Sequence, residues 1–323
     1  MQNINITRRR RVDNLFIQPK MGNGALHSIH QEFEIGETIG SGRYGHVKRA
    51  YNHKNHRDVV IKIMKKDLVK KEMIAREVSV IKNIFHDGCI KYLAHFHSPH
   101  HYYIVYEYHA GGNVHDWLCK NGAMPERMAR RIFSRLVDAV HYLHTRGIIH
   151  RDIKTDNIVL TTSDETTCMP ILIDFQFAKD LGQGQTCTQR CGTVYYVAPE
   201  LLSRDSSYSF PVDMWALGVC LYVMLSATMP FCGKSVDKIQ VAIKEGKFNM
   251  SDGLWTNISL EAKNLINCLL EKNQVKRFTS KQVLSHPWLI DLQNQSTKLY
   301  PVQSSPLIPN VLYSSDSLLS SSS

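Results

Sequence analysis

His150-Arg151-Asp152 leads directly into Ile153-Lys154-Thr155-Asp156-Asn157, and a further carboxylate follows at Asp174 after the apolar run Ile171-Leu172-Ile173. These are the residue types needed to move a phosphoryl group onto a hydroxyl. A carboxylate must take the proton of the attacking hydroxyl, a carboxylate and an amide oxygen must hold Mg2+, and a cation must stand near the transferred group. Asp152, Asp174, Asn157 and Lys154 supply those types at matching intervals. Chance agreement over so many positions is negligible, so an ordinary polar loop is set aside.

Two earlier segments could handle phosphate. Gly40-Ser41-Gly42-Arg43-Tyr44-Gly45-His46-Val47 lies between two strand-like patterns, and glycines let backbone amides approach phosphate oxygens with no Cβ in the way. Taken alone this run is a weak signal, open also to a plain flexible turn. A dinucleotide-binding fold would require a helix straight after the glycines, whereas Val47 to Tyr51 keeps strand character. Val59-Val60-Ile61-Lys62 then ends a strand in a lysine, and Glu77 in the next helical segment could pair with it. A strand-borne lysine is most often a solvated charge; its place between a glycine run and Glu77 favours the phosphate reading.

The elements that must position these residues follow from periodicity. Strands are expected over Phe33 to Ile39, Val47 to Tyr51, Val59 to Met64 and Tyr102 to Tyr106, with a helix over Glu72 to Phe85. Beyond them the chain reads as mostly helical. From Pro125 to Thr145, Met128, Ile132, Leu136, Val140 and Leu143 recur at helical steps, with Pro125 near the start and Gly147 just past the end. Val212 to Ser226 is apolar nearly all round, so it reads as a buried helix in which Asp213 must find partners. Residues 1–32 carry no sustained apolar period, and the folded region is expected to begin at Phe33. Ser285 to Leu289 is the last dense apolar cluster, and the serine-rich stretch after it, through residues 290–323, is expected to be disordered.

Composition excludes several classes. The chain has 323 residues, 43% hydrophobic and 21% charged, enough for a sizeable core and two lobes. It has no apolar run of membrane-spanning length and no secretory-type apolar segment near Met1, so a cytoplasmic or nuclear protein without membrane attachment is expected. The eight cysteines include no pair at the C-x-x-C spacing of zinc ribbons and redox motifs, which favours reduced thiols. A net charge of +10 raises the question of nucleic acid, but the basic residues are dispersed apart from Arg8 to Arg11 and Lys62 to Lys71. A solvated basic face is the preferred reading, with Arg8 to Arg11 open to use as a nuclear address or a phosphate-seeking arm.

Residues 33–289 resemble the eukaryotic protein kinase catalytic domain, on the strength of Gly40 to Val47, Val59 to Lys62, His150 to Asn157, Asp174-Phe175 and Ala198-Pro199-Glu200. The resemblance implies a bilobal α+β fold. A small, mostly-β N-lobe with one key helix would span 33–107, a hinge 107–110, and a larger, mostly-α C-lobe 111–289. It implies ATP and Mg2+ as cofactors, Asp152 as catalytic base, Lys154 at the γ-phosphate, a Lys62–Glu77 ion pair ordering the other phosphates, and Asn157 and Asp174 as metal ligands. Gly40, Ser41, Gly42 and Gly45 would cover the phosphates. Glu107 and His109 would present backbone hydrogen bonds to adenine, with Val47, Val60 and Val159 sandwiching its ring. Lys154, together with Thr193 in the segment Gly192 to Glu200, implies transfer to serine or threonine of protein substrates, with Thr193 bonding the base and the lysine. Glu200 would pair with Arg277, and Asp213 would hold the catalytic-loop backbone.

Pro211 to Val219, Met229-Pro230-Phe231 and Arg277 through Trp288 are most similar to the calmodulin-dependent and AMP-activated kinase group. Neither an EF-hand loop nor a basic amphipathic helix over Asp291 to Tyr300 is present, so direct calcium control is not expected. A monomer is expected.

The chain departs from the family pattern in several places. Gln176 stands where the family has the glycine after Asp-Phe, which is expected to shift the balance of loop states while leaving transfer intact. Val60 replaces the usual alanine. Gln189 occupies the place of an activating threonine, leaving Thr186 and Thr188 as substitutes for an upstream kinase, with a loop needing no phosphate as the equal alternative. Asp156 sits where basophilic relatives carry an acid facing a substrate arginine, so the resemblance implies a mild preference for a basic residue upstream of the target, although Asn113 and Val223 replace acids that some of those kinases also use. The competing reading is a pseudokinase scaffold that binds partners without turnover, supported by Gln176 alone. A kinase for small molecules or lipids is disfavoured by Thr193 and Ala198-Pro199-Glu200.

Overall fold

In Arg57–Lys65 the apolar residues alternate, so Val59 and Ile61 fall on one face of an extended segment while Val60 and Lys62 fall on the other. The same logic builds a five-stranded antiparallel sheet in the computed structural model, which describes residues 29–290 apart from 43, 183–184, 204–206 and 252. Its strands are β1 (Phe33–Gly42), β2 (Gly45–Asn52), β3 (Arg57–Lys65), β4 (Tyr92–His97) and β5 (His101–Glu107), in the order β1-β2-β3-β5-β4. Phe33, Ala50, Val59, Ile61 and Val105 are buried on one face. Ile29, in the short helix α1 (Ile29–Glu32) ahead of the expected start at Phe33, joins that core.

The chain divides into two compact units, Met1–Lys70 with Tyr92–Tyr108, and Lys71–Lys91 with His109–Ser323. The first, among its described residues, is the sheet and α1. The second begins with α2 (Lys71–Ile81) and continues through α3 (Val114–Asn121) and α4 (Glu126–Thr145). Short strands β6 (Ile148–Ile149), β7 (Ile158–Leu160), β8 (Pro170–Leu172) and β9 (Lys179–Asp180) follow, then α5 (Pro211–Ser226), α6 (Val236–Glu245), α7 (Leu260–Leu269), α8 (Ser280–Leu284) and α9 (Pro287–Ile290). No helix among the described residues is long and apolar enough to cross a membrane.

Helix α4 buries the stripe Met128, Ile132, Leu136, Val140 and Leu143, and Gly147 beyond its end takes a left-handed φ of 76°. Helix α5 is buried along its whole length from Val212, with Trp215 stacked on Phe231 at 5.4 Å. The expected helix over Glu72 to Phe85 instead closes at Ile81. There the hydrogen bonding tightens to Asn83 N–H on Val80 and Ile84 N–H on Ile81, the Asn83 amide bonds the Ser79 carbonyl, and Phe85 is 66% exposed. Strand β4 was not anticipated. It is an edge strand, half-buried along most of its length with a register shift between Tyr92 and Ala94, so it shows no clean alternation. The expectations for residues 1–28, including Arg8 to Arg11, and for residues 291–323 lie outside the described residues.

Two small ladders decide where the chemistry sits. β6 pairs with β9 and β7 with β8, all antiparallel. The loop His150 to Asn157 runs from β6 to β7, and the loop Ile173 to Ala178 runs from β8 to β9. The two loops are therefore held at both ends against each other's strands.

Candidate active site

The catalytic-loop backbone hangs on one buried carboxylate. Asp213, 1% exposed in the first turn of α5, accepts the backbone N–H of His150 at 2.9 Å and of Arg151 at 2.8 Å, and His144 Nε2–H from α4 at 2.9 Å. Burial alone would raise its pKa. The bond from His144 and its field, with the bond from the His150 backbone N–H, outweigh that and hold the carboxyl below its ordinary value. His150, fully buried, has Nε2 3.1 Å from the Ile173 carbonyl. A carbonyl only accepts, so Nε2 carries the proton and Nδ1 accepts the Asp152 N–H at 3.3 Å. One imidazole thus ties the residue before Asp174 to the backbone of Asp152. Arg151 between them sits at a φ of 71°, a left-handed geometry that costs a non-glycine residue about 1–2 kcal/mol.

On this frame four of the predicted side chains form one connected cluster. Asn157 donates through Nδ2 to the Asp152 carbonyl at 2.8 Å and to Asp152 Oδ2 at 3.0 Å. Thr193 Oγ1–H donates to Asp152 Oδ1 at 3.1 Å and accepts from Lys154 Nζ at 2.9 Å, and Lys154 Nζ lies 3.5 Å from Asp152 Oδ2. Asp152, Asn157 and Thr193 are buried, while Lys154 is partly open. Asp174 follows Ile173, whose N–H bonds the Asn157 carbonyl at 2.9 Å; its φ is 60°, and one of its oxygens accepts Gln176 Nε2–H at 3.0 Å. Both described bonds of the Asn157 side chain use its amide hydrogens, which leaves Oδ1 as an acceptor for a cation. An amide oxygen and a nearby carboxylate fit Mg2+, a hard cation that completes its shell with water and phosphate oxygens.

The segment leading to Thr193 is anchored differently. Cys187 and Tyr208 form an isolated antiparallel bridge, with hydrogen bonds of 2.8 and 2.9 Å between their backbones. Arg151 Nη1–H donates to the Tyr208 hydroxyl at 3.1 Å and Nε–H to the Phe177 carbonyl at 2.6 Å, and the Tyr208 hydroxyl donates to the Gln189 carbonyl. Burial pushes the Tyr208 phenol up. Thr186 and Thr188 are exposed on either side of buried Cys187, so the thiol rather than either threonine faces Arg151, with Nη1 3.8 Å from Cys187 Sγ. Beyond Thr193, Glu200 and Arg277 form the expected pair, two bonds of 2.7 and 3.0 Å, with the Arg277 guanidinium 5.1 Å from the Trp215 ring centre.

The predicted residues of the first unit also share a surface. Register pairs Val47 with Lys62 and Gly40 with Val47, and Val60 lies two residues before Lys62, so all four project to one face, opposite the buried Val59 and Ile61. Ser41, Gly42 and Gly45 continue the β1–β2 hairpin, and strand rather than helix follows the glycines. A Cβ on Gly45 would collide with the Ile63 carbonyl, whereas one on Gly42 would meet nothing within 4 Å. Internal packing therefore demands only Gly45, and the space over Gly42 stays open to a ligand. Glu107 ends β5. In the second unit Glu77 is buried on α2, His109 begins the stretch after β5, and Val159 lies in β7.

Sequence reasoning did not find the roles of His144, His150 and Tyr208. The first two lie in or beside recognised segments but have no spacing that announces their partners, and Tyr208 has no signal at all.

A domain with a β-sheet unit, a helical unit and an Asp-Lys-Asn-Thr cluster beside a second carboxylate has the fold and site of a phosphotransferase. The protein kinase domain family matches residues 33–289, and the chain belongs to that family. It is 33% identical over 282 residues to the serine/threonine-protein kinase PEPKR2 of Arabidopsis thaliana, covering 87% of this chain and 58% of that protein. It is 34% identical over 272 residues to a probable myosin light chain kinase of Dictyostelium discoideum, covering 83% of this chain and 86% of that protein. Against the serine/threonine-protein kinase cds1 of Schizosaccharomyces pombe it is 33% identical over 293 residues, or 86% and 63% of the two chains. The chain thus spans little more than half the length of PEPKR2. These relatives accord with the resemblance to the calmodulin-dependent group.

Proposed function

We propose that this chain transfers the γ-phosphoryl group of ATP to serine or threonine hydroxyls of proteins. The observation that carries the reading is Thr193, which joins Asp152 and Lys154 in one hydrogen-bonded unit. It ties the proton acceptor and the cation to the segment that would present a peptide. In this reading Asp152 takes the proton of the acceptor hydroxyl, and Lys154 stays beside it to balance charge on the transferred group. Asn157 Oδ1 and the Asp174 carboxylate would hold Mg2+, which supplies charge neutralisation at the phosphates. Gly40, Ser41, Gly42, Gly45 and Lys62, with Glu77, would serve the phosphates. Val47, Val60, Val159 and the backbone of Glu107 and His109 would serve adenine.

Substrate preference rests on Asp156. The Cys119 thiol is raised first by burial and then by Asp116 and Asp156, so two carboxylates act on one spot at the end of α3. A basic residue upstream of the acceptor suits that field, and a peptide array with no enrichment of arginine or lysine there removes this part of the proposal. Thr186 and Thr188 are exposed and open to an upstream kinase. Because Tyr208 already engages Arg151, phosphate there would add to a held segment rather than provide its missing anchor. A monomer in the cytosol or nucleus belongs to the same reading.

The decisive experiment is Mg2+-dependent labelling of a generic basic protein from γ-labelled ATP, with phospho-residue identification, comparing wild type and Asp152→Ala. Labelled serine or threonine that disappears in the variant supports the kinase. The scaffold reading is supported by Gln176 alone; ATP binding without any labelling would favour that alternative or an enzyme still awaiting its activator.

A further inference from the structure

The departure at Gln176 has a partner. The loop from Ile173 to Ala178 is fixed on one side by a series of bonds: the Ile173 carbonyl to His150, the Phe177 carbonyl to Arg151, and the Phe175 carbonyl to the Ala178 N–H at 3.0 Å. Phe175 is buried with its ring edge-on to His150, the centroids 4.8 Å apart. Asp174 and Gln176 alternate with these inward residues, and both are half-buried. The Gln176 amide donates to Asp174 Oδ2 at 3.0 Å. Gln176 does not have a positive φ, whereas Asp174 does. The strained backbone is therefore at the carboxylate, and the residue after Phe175 uses no glycine-like freedom in this conformation. A short polar side chain tolerates left-handed φ best when a local hydrogen bond supports it, and Gln176 supplies such a bond.

We propose that Gln176 is a positioning residue for the Asp174 carboxylate, fixing its rotamer so that it meets a divalent cation already oriented. The inference rests on the function proposed above and deepens it at one residue. A neutral amide is suited to this task. It takes one of about four acceptor sites of the carboxylate and brings no positive charge of its own to oppose the metal, as a lysine or arginine would. Hydrogen bonds that orient metal ligands are commonly worth about 10- to 100-fold in metal affinity. The glycine that the family carries at this position has no side chain to make the bond, so this chain's metal affinity depends on a group its relatives do without.

The test is Mn2+ binding to the full chain with a non-hydrolysable ATP analogue, followed by electron paramagnetic resonance, for wild type, Gln176→Leu, Gln176→Gly and Asp174→Asn. Analogue affinity without metal is measured in parallel. Gln176→Leu and Gln176→Gly are expected to weaken Mn2+ about tenfold or more while analogue affinity without metal stays within about twofold. In turnover, the half-saturating Mg2+ concentration should rise by a similar factor. Wild-type Mn2+ affinity in both Gln176 variants would overturn the proposal while leaving the kinase reading in place. Equal losses with and without metal would also overturn it, since they mark general damage to the loop. Failure of wild type to bind Mn2+ with the analogue, with Asp174→Asn indistinguishable from it, would overturn both readings.

Discussion

The loop that carries Asp152 and the segment that carries Thr193 are joined at Thr193, whose hydroxyl bonds both Asp152 and Lys154, yet they are built on different terms. His150 to Asn157 is bound from within: Asp213 takes two of its backbone amides, His150 ties it to Ile173, and the Asn157 side chain closes it on Asp152. The segment from Cys187 to Gln189 is held by one two-bond bridge to Tyr208, by that tyrosine's hydroxyl and by the weak contact of the Cys187 thiol with Arg151, with Thr186, Thr188 and Gln189 turned outward. Groups that must keep a fixed geometry through the reaction are over-determined by buried bonds. The outer segment rests on fewer, which places it nearer the low-stability end of the fold.

If that contrast is real, the largest effect should come from Asp213. Asp213→Ala strands two buried amides and a histidine and is expected to lower stability by about 3 kcal/mol, read as a fall in denaturant midpoint. Transfer should fall with it, because Asp152 loses its backbone support. A variant that unfolds normally would show the loop to be held by something else. The same carboxyl gives an acid limb with a definite sign. Its folded-state pKa lies below the ordinary value, so its contribution is full at neutral pH and is lost as pH falls below roughly 4 through the folded value. Asp213→Asn should flatten that limb of a stability–pH curve while leaving the neutral plateau lower.

Thr193 comes next, since it is the joint between the two regions. Thr193→Ala removes a bond to Asp152 and one to Lys154 and is expected to reduce kcat about 10- to 30-fold, equivalent to about 1.5–2 kcal/mol, while Thr193→Ser keeps most of the rate. Steady-state kinetics decides this. Equal losses in both variants would locate the effect in the threonine methyl and its packing, and the joint would not be a hydrogen bond.

How much of this was legible in the sequence differs by region for a physical reason. Asp152, Lys154, Asn157 and Asp174 could be singled out because phosphoryl transfer restricts residue type, and the α4 stripe because burial restricts periodicity. Asp213 was legible as a question, a charge in an apolar helix that had to be compensated, but its partners lie far away in sequence and carry no local mark. Strand β4 escaped because an edge strand half-buried along most of its length need not alternate. Of the glycine run, the sequence presented equivalent residues, whereas Gly45 is required by the chain's own packing and Gly42 is not. Gln176 was visible as a departure in backbone terms; that its side chain would reach back to Asp174 depends on a rotamer, which no spacing rule specifies.

The smallest expected effect, and the one that most sharpens the comparison, is Tyr208→Phe. The change keeps the ring and removes a hydroxyl that accepts from Arg151 and donates to the Gln189 carbonyl. Arg151 retains the Phe177 carbonyl, and the Cys187 bridge uses only backbone, so global stability should fall by only about 1 kcal/mol. The local consequence should be larger than the global one. Amide hydrogen exchange across Gln185 to Cys191 should accelerate several-fold while exchange in His150 to Asn157 stays at the wild-type rate, because Asp213 holds that loop independently. Acceleration in both stretches would mean that the tyrosine supports the catalytic loop through Arg151 and that the two regions are one cooperative unit. Phosphorylation at Thr186 or Thr188 gives the complementary arm. If it restores slow exchange in Tyr208→Phe but changes little in wild type, then the phenol and the phosphate are alternative anchors for the same segment, and this chain carries the unmodified one in its own sequence.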